Sequence, residues 1–241
     1  RNSGTSNDIK VDQIDVAGNP RVVGIIDRGA YEYLIETTPS RNWYVKENGY
    51  GDGSSWANAS GDFQDMINKA QCADKIFVAK GIYVPIRKAN DLNLITTFNK
   101  ENAFVLRRNI NYYGGFEGNE SSEEQRDLNN PNNETILSGD FLQNDSVTFN
   151  SNGILTLLNN SENAYHTVII SNLTNVIFDG FTIKGGNASG SGKINVNNIE
   201  IQKNDGGGLA IYYSNKLKIK NLKIKNNLTS NMGGGIFLIN S

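Results

Sequence analysis

The feature that most constrains this chain is a repeat. Gly206-Gly207-Gly208-Leu209-Ala210-Ile211 returns 27 residues on (233 minus 206) as Gly233-Gly234-Gly235-Ile236-Phe237-Leu238. A period of about 20–50 residues belongs to chains that stack small units, none of which can bury its apolar face alone. Between the copies, Leu217, Ile219, Leu222 and Ile224 can all point inward only if one extra residue interrupts the two-residue alternation of a strand. A bend at Lys220-Asn221 supplies it, because Asn takes left-handed backbone geometry cheaply. Upstream, Val176-Ile177-Phe178-Asp179-Gly180-Phe181-Thr182-Ile183 has the same layout, with Gly180 in the place of Asn221. Each unit therefore reads as strand, glycine-rich turn, strand, sharp bend, strand. The expected fold is all-β, a three-sided parallel β-helix: a solenoid whose inward side chains form ladders. The spacing from Val176 to Leu217 is longer, and the surplus lies in Ser189 to Asp205. There Ile194, Val196, Ile199 and Ile201 alternate, which predicts a hairpin bulging from one turn.

Composition agrees. The 241 residues can bury a continuous core. With 25 Gly, only 4 Pro and short β-favouring runs, the chain suits many strands joined by turns. A formal net charge of -2 argues against a general nucleic-acid binder, and no apolar run approaches the ~20 residues of a membrane-spanning helix. One cysteine, Cys72, excludes an internal disulfide framework. The opening Arg1-Asn2-Ser3 is neither a Met start nor a leader, so the chain is expected to be a segment of something longer.

Ahead of the repeats the pattern changes. Residues 1–35 end in a turn cluster, Asp15 to Arg21, and a short apolar run, and 36–42 read as a proline-stiffened linker. The next unit starts with a strand at Trp43-Tyr44-Val45-Lys46 and a tight loop over Gly49 to Trp56. Phe63, Met66, Ile67 and Ala70 then recur at helical spacing, with Asp62, Gln64, Asp65 and Lys69 at the polar positions. One short helix before a long β stretch suits a cap over an otherwise open edge and core. Residues 43–110 are thus the expected N-terminal cap and first strands, and 111–241 the turns, truncated at the C-terminus. Cys72, just after Ala70, is expected to be small and buried.

Several stretches carry a family likeness. Phe104-Val105-Leu106, Tyr112-Tyr113-Gly114-Gly115-Phe116-Glu117-Gly118-Asn119-Glu120, Arg126-Asp127 and Thr135-Ile136-Leu137-Ser138-Gly139-Asp140 occur in order. Tyr165-His166, Phe178-Asp179-Gly180-Phe181 and the two GGG turns follow. Together they resemble the right-handed parallel β-helix surface and adhesin-like proteins of Bacteroidota, and are similar to repeats of chlamydial polymorphic outer-membrane proteins. The first segment is similar to the way such a module ends, which implies tandem modules, 1–35 closing one and 43–241 opening the next. The resemblance also implies an extracellular or outer-membrane-associated place, with export often through type IX secretion.

The residues offer little chemistry. Sugar-cleaving enzymes need two carboxylates facing a sugar, yet the matched glycine-rich strands carry Leu209, Ala210, Ile211, Tyr212, Tyr213 and Ile236 to Ile239, without an acidic pair. Asp140, Asp145 and Asp179 have no repeat-matched partner. His166 is the only histidine and reads as a hydrogen-bonded group at a strand start. No catalytic, cofactor or metal site is expected, and no cofactor. Lys216, Lys218, Lys220, Lys223 and Lys225 line an outer face; they either contact anionic glycans or form a solvated face that discourages edge-to-edge sticking. Tyr212 and Tyr213 could stack on sugars, with at least one of them packed inward. Asp145-Ser146-Val147 resembles the Bacteroidota O-glycosylation pattern, with Ser146 as acceptor. The expected partners are surface polysaccharides, other cell-surface proteins and neighbouring modules, with no nucleic acid and no membrane insertion. The expected function is adhesin, stalk or filament component; the alternatives are a polysaccharide lyase or glycoside hydrolase, or a carbohydrate-binding module.

Overall fold

The computed structural model describes residues 39–107, 109–149, 151–153 and 155–239. The module end expected over 1–35 and the first three residues of the 36–42 linker lie outside the described residues. From Ser40 on, the chain forms one compact unit.

Three parallel sheets dominate it. Sheet one runs in the order Asn42–Val45, Lys75–Ala79, Asn111–Phe116, Thr174–Asp179, Asn215–Lys220. Sheet two runs Gly81–Tyr83, Thr135–Ser138, Phe181–Lys184, Lys223–Ile224, and sheet three Phe104–Val105, Val168–Ser171, Leu209–Tyr212, Ile236–Ile239. From Lys75 onward the chain visits sheets one, two and three in that order, then begins again. The registers follow the sequence repeats: Leu209 pairs with Ile236, Val176 with Leu217 and Phe178 with Ile219.

The alternation of each strand sends every second side chain to one face. In sheet one this builds an inner ladder of Trp43, Ile76, Tyr112, Phe178 and Ile219. Val78, Val176, Leu137, Phe181, Val168 and Ile211 from all three sheets join the same core. Phe178 and Phe181 stack at 4.5 Å between centroids across the sheet-one to sheet-two bend. That bend is Gly180, at φ 85°, and its counterpart one unit on is Asn221, at φ 48°. The left-handed residue resets the phase, so Leu222 and Ile224 turn inward after Leu217. Ile219 keeps its register over Phe178 but is 36% exposed, because it lies on the last strand of sheet one.

The helix spans Phe63–Lys69 and is N-capped by Asp62, whose Oδ1 accepts from Asp65 N at 2.9 Å. Phe63, Met66 and Ile67 enter the main core. Gln64 departs from its expected polar position: it is buried, and its amide donates to Val105 O (3.1 Å) and accepts from Val105 N (2.8 Å). It thereby satisfies the free edge of the end strand of sheet three, Phe104–Val105. Gln64→Leu keeps the volume but leaves two buried backbone groups unpaired. A loss of about 3 kcal/mol is expected, measured by urea unfolding against wild type.

Two further expectations are corrected. Cys72 is exposed, because the helix ends at Lys69 and the chain turns outward before Asp74. The hairpin Lys193–Val196 with Ile199–Gln202 forms, but it does not bulge free. Ile194, Val196 and Ile201 fold onto the outer face of sheet three and bury Val105, Ile169, Ala210 and Tyr212 in a second core.

Candidate functional site

The residues singled out from sequence fall in three places. Lys216, Lys218 and Lys220 lie on the last strand of sheet one and Lys223 on the last strand of sheet two, with Lys225 just beyond; all five are exposed. The strip therefore turns the corner at Asn221. Lys223 and Lys225 reach Glu134 Oε1 at 3.7 and 3.6 Å, while Lys216, Lys218 and Lys220 make no ion pair among the described residues. Glu134 is held below the usual carboxylate range: Thr182 donates to it and the two lysines stand near, which together outweigh its partial burial. Tyr213 is 40% exposed. Tyr212 is buried under the hairpin, its hydroxyl accepting from Gln202 N at 3.2 Å, so it has no open ring face for a sugar.

A row of aromatics does stand on the outer face of sheet one, where Tyr44, Phe77 and Tyr113 pair in register. Phe77, Tyr113 and Phe116 are buried, with Trp56 packed against them. Arg126 lies over Tyr113 (5.5 Å to the centroid) and pairs with Asp179 at 3.0 Å. Asn221 Nδ2 donates to the other Asp179 oxygen at 2.7 Å. Asp179 is thus committed to a structural network that ties one bend to the next.

Ser146 is exposed at the foot of a second hairpin, Ser146–Phe149 with Leu155–Leu158. Beside that foot the structure joins Asp140 and Asp145, which looked isolated in sequence, with Glu162: one carboxylate oxygen from each of the three lies within 4.8 Å of the others. Asp140 follows sheet two, Asp145 immediately precedes the hairpin and Glu162 follows it. Asp140 is 1% exposed; its Oδ1 accepts from Asn144 N (3.3 Å) and its Oδ2 from Asp145 N (3.1 Å). Asn163, also 1% exposed, donates Nδ2 to Asp145 Oδ2 at 2.8 Å. Asp145 Oδ1, Glu162 Oε1 and Asn163 Oδ1 are closed to solvent and unpartnered. Burial pushes the Asp145 carboxyl up to about 6, and the charges of Asp140 and Glu162 push the same way against the Asn163 hydrogen bond. The 27-residue repeat cannot reveal this trio, because it sits in an insertion between turns. The available sequence signal was Asp140 and Asp145 before, and Glu162 and Asn163 after, the stretch that folds as the 146–158 hairpin.

His166, near this loop in sequence, is buried, with Nδ1 at 3.0 Å from Gly206 O. No described helix is long and apolar enough to cross a membrane. Comparison with protein-family models, curated proteins and solved structures gave no match for this chain.

Proposed function

We propose that residues 43–239 form a right-handed, three-sided parallel β-helix. In this reading they are a non-catalytic segment of a secreted bacterial surface protein that serves as adhesin, stalk or filament component. The observation that carries the reading is the cyclic passage through three parallel sheets with repeat-matched registers around one core. Such stacking gives stiffness and a long lateral surface, and neighbouring turns satisfy each other's backbone groups. The likeness to Bacteroidota surface proteins, with its implied type IX export, supports the same reading. The free lysines Lys216, Lys218 and Lys220 beside half-open Tyr213 are the surface best suited to anionic glycans or envelope polymers.

The rival reading, a polysaccharide-cleaving enzyme, is favoured by one observation, the carboxylate trio with Asp145 shifted upward. Against it, two of the three carboxylates have an oxygen sealed from solvent, where a sugar cannot reach. The test is a screen of the chain against acidic and neutral polysaccharides, following binding and product release together. Binding without products is expected, and reversal of Lys216, Lys218 and Lys220 to glutamate should weaken it at least tenfold. Unsaturated or reducing ends would establish the enzyme instead. Binding unchanged by the reversal would remove the lysine face from the proposal.

A further inference from the structure

We propose that Asp140, Asp145, Glu162 and Asn163 form a calcium site that clamps both feet of the 146–158 hairpin to the body of the protein. The inference does not rest on the adhesin reading. Its geometry is three carboxylate oxygens converging within 4.8 Å, without a lysine or arginine paired to any of them among the described residues. Three like charges at that separation repel, and a cation is the direct remedy.

A second observation points the same way. Asn163 is 1% exposed, yet its Oδ1 has no donor, while the other end of the same amide touches Asp145. A buried amide oxygen normally finds a partner. A half-turn of the amide would exchange its two ends and bring Oδ1 beside the Asp145 carboxylate as a fourth oxygen. The unpartnered Asp145 Oδ1 and Glu162 Oε1 complete a set in which every candidate ligand is a hard oxygen. Oxygen ligands without histidine or thiolate select calcium over zinc or copper. A mixed set supplied by loop residues from separate segments suits calcium better than magnesium, which demands a near-ideal octahedron and keeps its waters.

The location gives the ion a task. Asp145 abuts the first hairpin strand, Glu162 and Asn163 follow the second, and Asp140 follows the sheet-two strand Thr135–Ser138. One ion would therefore reinforce the hydrogen bonds that already join these three segments, Asp145 N to Asp140, Asn163 to Asp145 and Ala164 N to Gly139 O. The hairpin carries exposed Val147, Phe149 and Leu158, so fixing its feet would fix the bearing of an apolar arm.

The test is calorimetric titration of the chelator-treated chain with calcium chloride, together with thermal unfolding with and without the ion. We expect a dissociation constant of about 10⁻⁴ M, in the range of extracellular calcium modules. At 10 mM calcium the melting temperature should rise by roughly 5 °C or more. Asp145→Asn and Glu162→Gln should each abolish the rise. Asp145→Asn should also fold without calcium at least as stably as wild type near neutral pH, since it removes a disfavoured buried charge. Absence of calcium heat and of a melting shift in wild type would overturn the proposal, as would variants that respond like wild type. A response to magnesium equal to that to calcium would overturn the calcium assignment.

Discussion

Gly186→Ala is expected to cost at least about 4 kcal/mol, enough to leave the chain largely unfolded or insoluble. A Cβ at Gly186 would stand 1.7 Å from the carbonyl oxygen of Gly207. Neither backbone can give way easily. Gly186 N donates to Asn227 Oδ1 at 2.9 Å, and Gly186 O accepts from Leu228 N at 2.8 Å. The Gly207 carbonyl is tied to Thr167 N at 3.0 Å. The conflict is steric, since φ at Gly186 is not left-handed. Gly192 separates the two causes: it has φ 78° but nothing within 4 Å of the added carbon. Gly192→Ala should therefore cost only the left-handed backbone term, about 1–2 kcal/mol. Urea unfolding of both variants decides the matter, and equal costs would refute the close approach of the two glycine backbones.

That contrast also shows what was legible in the letters. The glycine triplets, the bend at Gly180 and Asn221 and the apolar ladders recur at fixed offsets, so periodicity exposes them. Helix Phe63–Lys69 was legible from its 3.6-residue spacing. Gln64 was not, because its burial depends on a strand edge 41 residues away. Tyr212 and the hairpin over it were half legible. The alternation of Ile194, Val196 and Ile201 predicts a strand pair, but not that its apolar face finds the outer surface of sheet three. The trio of Asp140, Asp145 and Glu162 was hidden for a different reason. Its members come from the flanks of an insertion, where no repeat gives a register, and only the fold brings them within 4.8 Å.

Lowering the pH from 7 to 4 is expected to destabilise the protein through His166 by about 3 kcal/mol. Gly206 O can only accept, so Nδ1 carries the proton and Nε2 is the bare nitrogen, buried and without a partner. Protonating Nε2 would bury a charge. Burial therefore drives the imidazole down to about 4, although the Gly206 carbonyl and the Asp205 charge oppose it, while Lys203 adds a little to the fall. The unfolded chain takes up its proton near 6.5. Between 6.5 and 4 the unfolded state binds the extra proton, so stability falls with pH, and the loss is complete once both states are protonated. Asp145 runs the other way. Its folded value near 6 lies above its unfolded one, so protonation in the same window favours the folded state and masks part of the His166 effect. His166→Asn removes the ambiguity, because Asn keeps a donor for Gly206 O and cannot titrate. The variant should be less stable than wild type at pH 7, from lost packing, and the gap should move by about 3 kcal/mol in its favour by pH 4. Urea unfolding of the pair at each pH measures this gap and cancels Asp145, which is common to both. A gap constant with pH would mean that His166 is solvated in the folded state, and the glycine turn packed against it would have to be looser than it stands here.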